Sequence, residues 1–303
     1  LQEIQMMRLL VFGKTGQVAT MLDRLGTDPG QQIEIIRVGR PEIDIADAKA
    51  VRSVIAQDRP DIVVNAAAYT AVDRAETEPE LAFTANATGA GNVAAAAALF
   101  GVPVIHLSTD YVFPGDLDGA RLEGDETGPA TAYGRSKLAG EVEVARANPR
   151  HLTLRTSWVF SPVGHNFVRT MLRLAAERDR LSVVADQIGN PTYAGEIAEA
   201  IFLCARRAFV PAFADWGTYH FAGPQAMSWA DFAKLVLERS ARLGGPEAPV
   251  SDIATADFPT AAKRPANSRL STEKFAETFG YRHRPIAACV EEAVREILAG
   301  TAA

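Results

Sequence analysis

Cysteine is scarce: Cys204 and Cys289 are the two in 303 residues, and both fall in helical-looking segments, IFLCARR and AACVEEAVREIL. Neither belongs to a CxxC or Cys/His cluster, which excludes a disulfide scaffold or a structural zinc site. The five histidines are scattered without metal-ligand spacing, so no metal is expected. Positive charge is also in short supply, with 31 Lys+Arg against 37 Asp+Glu and a net charge of -6. Without a basic run, the chain is a poor partner for nucleic acid or an anionic membrane, since phosphate neutralisation needs clustered Lys/Arg. Any phosphate must therefore be held in a local pocket. Long apolar runs are missing too. The longest, AAAAALFGVPVIHL, is broken by Gly101 and Pro103, which rules out a transmembrane helix there. LQEIQMM lacks the cationic and apolar zones of a signal peptide. Residues 1–6 read as an N-terminal extension, and the cytoplasm as the expected location.

What is present is an ordinary globular balance, 48% hydrophobic and 22% charged. From Met7, short apolar runs alternate with longer amphipathic ones. MRLLVFG, IEIIRVG and DIVVNAA read as strands, PVIHLSTD as the fifth strand and LTLRTSWVF as the sixth. Helices are expected over GQVATMLDRLG, DAKAVRSVIAQD, a long stretch from about Pro79 to Phe100, and Tyr133 to about Ala147. The alternation implies an α/β fold, a Rossmann-like doubly wound parallel sheet. After Ser161 the rhythm loosens, which suggests a smaller, discontinuous α/β substrate domain. The expected division is 7–163 with about 193–222 for the dinucleotide, and about 164–192 with 223–303 for the substrate.

Gly13-Lys-Thr-Gly16-Gln-Val-Ala19 lies between a strand and a helix. Such a turn lets a pyrophosphate approach unpaired backbone N–H groups at the helix N-terminus. A Walker A reading of GKT fails, because Arg8 stands where that motif needs glycine. The second strand ends in Gly39-Arg40, and arginine in place of an acidic residue suits a ribose 2′-phosphate. NADPH is thus favoured, with NADH possible, and Asp44-Ile45 can sit beside the adenine. Tyr133 and Lys137 are four apart on one helix face. A lysine there can lower the tyrosine pKa and make its hydroxyl a usable proton donor. Ser108-Thr109-Asp110-Tyr111 ends the preceding strand, where a hydroxyl can bond a substrate oxygen.

Hydroxyl, tyrosine and lysine in this order behind a GxxGxxA turn resemble the extended short-chain dehydrogenase/reductases. FGKTGQVA, NAAAYTAVDRAETEPELA, STDYVFPG, YGRSKLAGE, LRTSWVF, DQIGNPT and RPANSRL together resemble one family within them, the dTDP-4-dehydrorhamnose reductases. The likeness runs from Phe12 to Leu270. It implies reduction by NADPH of the C4 ketone of dTDP-6-deoxy-L-lyxo-4-hexulose to dTDP-L-rhamnose. By position it makes Tyr133 the proton donor, Lys137 the group that holds the nicotinamide ribose, and Thr109, with Asp110, the group that orients substrate. Gly16, Gln17 and Val18 would face the pyrophosphate; Ala68, Tyr69 and Thr70 would line the cofactor channel.

The same resemblance makes Trp158 a sugar contact. Arg264, Asn267, Ser268 and Arg269 form a donor set suited to a diphosphate, and Asn166, Gln187 and Pro191-Thr192 the opposite wall. Asn86, in the middle of the long helix, is read as a structural brace. Some family members bind Mg2+ through glutamates at a dimer contact; here Met21 and Gly195 stand at those places, with Glu196 adjacent. Monomer and homodimer both remain open. Two other readings stay on the page: another nucleotide-deoxysugar 4-ketoreductase or an epimerase of the same fold, and an NADP-binding regulatory subunit similar to methionine adenosyltransferase β.

Overall fold

The computed structural model describes residues 6–300; residues 1–5 of the expected N-terminal extension lie outside that range. β1 (Met7–Phe12) shows why the central strands read as unbroken apolar runs. Leu9 and Val11 enter the core on one face of the sheet, Leu10 and Phe12 on the other, as a strand covered on both sides requires. Then come α1 (Gln17–Gly26), β2 (Ile33–Val38), α2 (Ala48–Asp58) and β3 (Ile62–Asn65). Asp47 starts α2 by accepting the N–H groups of Lys49 and Ala50.

The helix expected as one piece from Pro79 to Phe100 is more complex. α3 (Val72–Ala75) precedes it, and α4 (Pro79–Phe83) runs through a π turn, Thr84–Gly89, into α5 (Ala90–Leu99). β4 (Val104–Thr109), α6 (Ala132–Ala147) and β5 (His151–Thr156) complete the first half. PVIHLSTD is therefore the fourth strand of the chain, not the fifth. LTLRTSWVF is not one strand either. Trp158 takes a left-handed conformation with φ 47°, which ends the ladder. β6 (Val159–Phe160) then leaves the sheet.

The later elements are α7 (Phe167–Glu177), β7 (Leu181–Val184), β8 (Ile188–Gly189), β9 (Thr192–Tyr193) and α8 (Ala194–Ala208). They continue with β10 (Gly217–His220), β11 (Met227–Ser228), α9 (Trp229–Arg242), β12 (Val250–Ile253), β13 (Asn267–Ser268), α10 (Glu273–Phe279) and α11 (Ile286–Leu298). The six-stranded sheet has the order β10-β5-β4-β3-β1-β2, every pair parallel. α1 and α8 cover one face; α2, α5 and α6 cover the other. Three small sheets, β11-β8-β13, β12-β7 and β6-β9, lie outside it. From β1 the chain turns to β2 on one side and later to β3 on the other. This reversal opens a crevice at the carboxyl ends of the strands, the place where doubly wound sheets take ligands.

Candidate active site

The crevice is a cleft of about 540 Å³ that brings together Gly13, Gly16, Arg40, Asp44, Ile45, Ala68 and Tyr69. Gly13 has φ 122°, and a Cβ there would stand 2.9 Å from the Ala66 backbone; only glycine lets the turn pass this close to β3. Gly16 caps α1 without a side-chain bond, so the N–H groups of the first turn have no partner within the helix. Those donors, the dipole behind them and Arg40 at the far end fit a phosphorylated dinucleotide. Lys14 also lines the cleft, and its ammonium pairs with Glu42 at 2.6 Å. Arg74, Glu78 and Leu81 form the outer wall, none of which was singled out from the sequence.

Gln17, Val18 and Thr70 do not line the cleft, and neither do Tyr133 and Lys137. The Gln17 carbonyl accepts from the Ser161 hydroxyl at 2.8 Å and from the Asn166 amide at 3.1 Å. Asn166 in turn caps α7, accepting the Arg169 N–H at 3.2 Å. These two side chains tie α1 to α7. Glu196, the carboxylate beside Gly195, is fully buried, accepts the Arg284 N–H at 2.7 Å and lies 3.2 Å from His283 Nδ1.

The floor of the crevice leads to the carboxyl end of β4 and the start of α6. Thr131 starts α6 by accepting the Gly134 N–H at 3.0 Å, and the next turns place Tyr133, Lys137 and Glu141 on one face. Tyr133 packs with Tyr69 against Ala75, Ala82 and Ala132, which links it to the cleft wall. The π turn braces the same region. Asn86 accepts the Tyr69 N–H at 2.8 Å and donates to the Tyr69 carbonyl at 3.0 Å and to Ser136 at 2.9 Å. A Cβ on Gly140 would collide with the Asn86 carbonyl, so α6 can lie this close to the turn only because residue 140 is glycine.

Electrostatics here depart from one expectation. Burial pushes the Tyr133 hydroxyl well above its ordinary pKa, while the Thr109 hydroxyl draws it back. Lys137, expected to depress it, is not among the groups that set this balance. Its ammonium donates to the Leu107 carbonyl at 2.7 Å, and burial lowers its own pKa to about 8, with Glu141 acting against the fall. Thr109 donates to Asp110 at 2.8 Å. Burial raises Asp110 to about 6, opposed by the hydroxyls of Ser268 and Thr109. A tyrosine that keeps its proton, next to a buried cationic lysine, can give that proton to a developing oxyanion.

On the substrate side, Arg264 pairs with Asp73 and lies 3.4 Å from the Tyr111 hydroxyl. Asn267 donates to the carbonyls of Leu117 and Gly119, and its own carbonyl accepts from Arg269 Nε at 2.8 Å. It therefore pins the loop between β4 and α6. Gln187 donates to Thr255 at 3.0 Å. Ser268 is buried beside Asp110. Trp158 stacks on Trp229 with ring centroids 3.5 Å apart, half-buried at the edge of the core.

Comparison with known proteins follows the same lines. The profile of the family described as RmlD substrate binding domain matches residues 7–299. A dTDP-4-dehydrorhamnose reductase of Sinorhizobium fredii is 50% identical over 277 residues, 91% of this chain and 93% of its own length. The crystal structure of a dTDP-4-dehydrorhamnose reductase from Clostridium acetobutylicum superposes with a TM-score of 0.89 at 34% identity, covering 96% of this chain and 100% of that one. The dTDP-4-dehydrorhamnose reductase of Bacillus anthracis, solved in complex with NADP, gives 0.86 at 34% identity, with 97% and 99% covered.

Proposed function

Since the chain belongs to the RmlD substrate binding domain family, we propose that it is an NAD(P)H-dependent reductase that converts dTDP-4-dehydrorhamnose to dTDP-L-rhamnose. The parallel sheet, 7–163 with about 193–222, is assigned to the dinucleotide, and about 164–192 with 223–303 to the nucleotide sugar. NADPH, when bound, supplies the hydride for C4. The rest of the chemistry belongs to this chain. Tyr133 donates its phenolic proton to the C4 oxygen as negative charge develops there. Lys137 holds the nicotinamide ribose. Thr109, whose hydroxyl donates to Asp110 in the free protein, turns that donor to the same oxygen and orients the ring. Arg264 and Arg269 take the diphosphate, and Trp158, stacked on Trp229, is the aromatic contact of the sugar. Both reactants are polyanions that do not cross an apolar bilayer unaided, so the reaction runs in the compartment where they are made, which we read as the cytoplasm.

The observation that carries this reading is that Tyr133 and Tyr69, a residue of the cleft wall, pack on the same small cluster of Ala75, Ala82 and Ala132, which brings the proton donor close to the dinucleotide cleft. The test is NADPH absorbance with dTDP-4-keto-6-deoxy-L-lyxo-hexose generated in situ. Wild-type protein should oxidise NADPH, and Tyr133→Phe should lose about 10²–10⁴-fold in rate while binding NADPH normally. A folded wild-type protein that binds NADPH without turnover would overturn the assignment in favour of another sugar or a regulatory role.

A further inference from the structure

The segment from Tyr69 to Glu78 touches three parts of the site at once. Tyr69, Arg74 and Glu78 line the dinucleotide cleft, with the Tyr69 hydroxyl donating to Glu78 at 2.6 Å. Glu76 reaches the other way and accepts the N–H of Ala132 at 2.8 Å. Ala132 is the first residue of α6 and the neighbour of Tyr133. Asp73 reaches in a third direction. It accepts the Ala262 N–H at 3.0 Å and pairs with the Arg264 guanidinium. Ala75, between these carboxylates, is fully buried and packs with Ala132 and Tyr133.

We propose that Glu76 and Asp73 are positioning residues, Glu76 for the proton donor Tyr133 and Asp73 for the diphosphate ligand Arg264. The inference rests on the reductase reading above. The first N–H groups of a helix have no partner within it, and a carboxylate there is favoured by the dipole. Glu76 therefore fixes where α6 begins, and with it the position of Tyr133. Arg264 is a long side chain with a planar fork of donors. Asp73 occupies part of that fork and also holds the backbone two residues before it, so the remaining donors point in a set direction. One short segment on the cleft wall, α3 with the Glu76 that follows it, thus sets both the proton donor and the arginine.

The test uses four variants of the full chain, with kcat and KM for NADPH and sugar, NADPH binding, and calorimetric titration with dTDP. Glu76→Ala should lower kcat about 10–100-fold, the size expected of a displacement near 1 Å, with both KM values nearly unchanged. Glu76→Gln, whose carbonyl can accept the same N–H, should recover most of it. Asp73→Ala should weaken dTDP binding and raise the sugar KM roughly tenfold, the worth of one charged hydrogen bond, while kcat holds. Asp73→Asn should bind dTDP much as wild type does.

The same kcat and KM pattern in both alanine variants would mean that α3 has merely collapsed, and would overturn the proposal. So would a failure of Glu76→Gln to rescue. Tighter dTDP binding in both Asp73 variants would show that Asp73 competes with the diphosphate instead of presenting Arg264. If wild-type protein does not turn over, the reductase reading fails and the role of Glu76 falls with it. The dTDP titration needs no turnover and still decides the role of Asp73.

Discussion

Arg155 of β5 meets Glu141 of α6 through two hydrogen bonds, 3.0 Å from Nε and 2.7 Å from Nη2, with the side chains only 6% and 8% exposed. Glu141 stands one helical turn beyond Lys137, and the Ser108 hydroxyl of β4 donates to the same carboxylate. The pair joins α6, β4 and β5 directly behind the reacting groups. Taking one partner away leaves an uncompensated buried charge, a cost of about 3–5 kcal/mol. Glu141→Leu and Arg155→Met should each lose stability on that scale in urea unfolding. The double variant, which leaves neither member of the pair without the other, should lose less than the two single losses added together. Additive losses would show that the two residues do not act as a pair.

The pH dependence follows from Lys137. Burial lowers its pKa to about 8, so the ammonium loses its proton as pH rises through that value. The cationic form is the one proposed to hold the nicotinamide ribose. In the free enzyme kcat/KM should therefore fall above about pH 8, with a slope of one. Glu141 is the charge that keeps the lysine protonated. In Glu141→Gln the falling limb should move to lower pH. A limb that stays in place would separate the profile from Lys137.

Arg40 lines the cleft just beyond β2. If it holds a ribose 2′-phosphate, Arg40→Ala should raise the KM for NADPH about 10–100-fold, the loss of 1.5–3 kcal/mol in a charged hydrogen bond. The KM for NADH, which lacks that phosphate, should barely change. Equal changes for both dinucleotides would assign Arg40 to another part of the ligand.

Much of this was legible in the sequence, for identifiable reasons. β1, β3 and β4 are buried on both faces and so write continuous apolar runs. The Gly13 turn needs a residue without a side chain, and Tyr133 and Lys137 share a face by helix geometry alone. Other features depend on partners far away in the chain. Nothing in TANATG forbids an ordinary helix; the π turn answers to Tyr69, Ser136 and Gly140. Trp158 looks like one more apolar strand residue, yet it is left-handed and stacks on Trp229, 71 residues on. Gln17 sits where a pyrophosphate contact is expected, yet its partner Asn166 lies 149 residues away. Asp73 and Glu76 stood inside the matched block VDRAETEPE, but only the fold shows that they face different parts of the site.

The edge strand β10 comes after a long excursion through α7, β7, β8, β9 and α8. As the chain leaves the ribosome, β5 exists for a time as an open edge, with its backbone donors and acceptors unpaired. Such an edge invites pairing with another chain. The α8 cover for Leu9, Val11 and Val64 arrives equally late, because it precedes β10 by only a short connection. A nascent chain that stops near residue 163 carries every residue that lines the cleft, but neither α8 nor the closing strand. The six-stranded sheet is therefore complete only after residues 164–192, which build α7, β7 and β8, have been made.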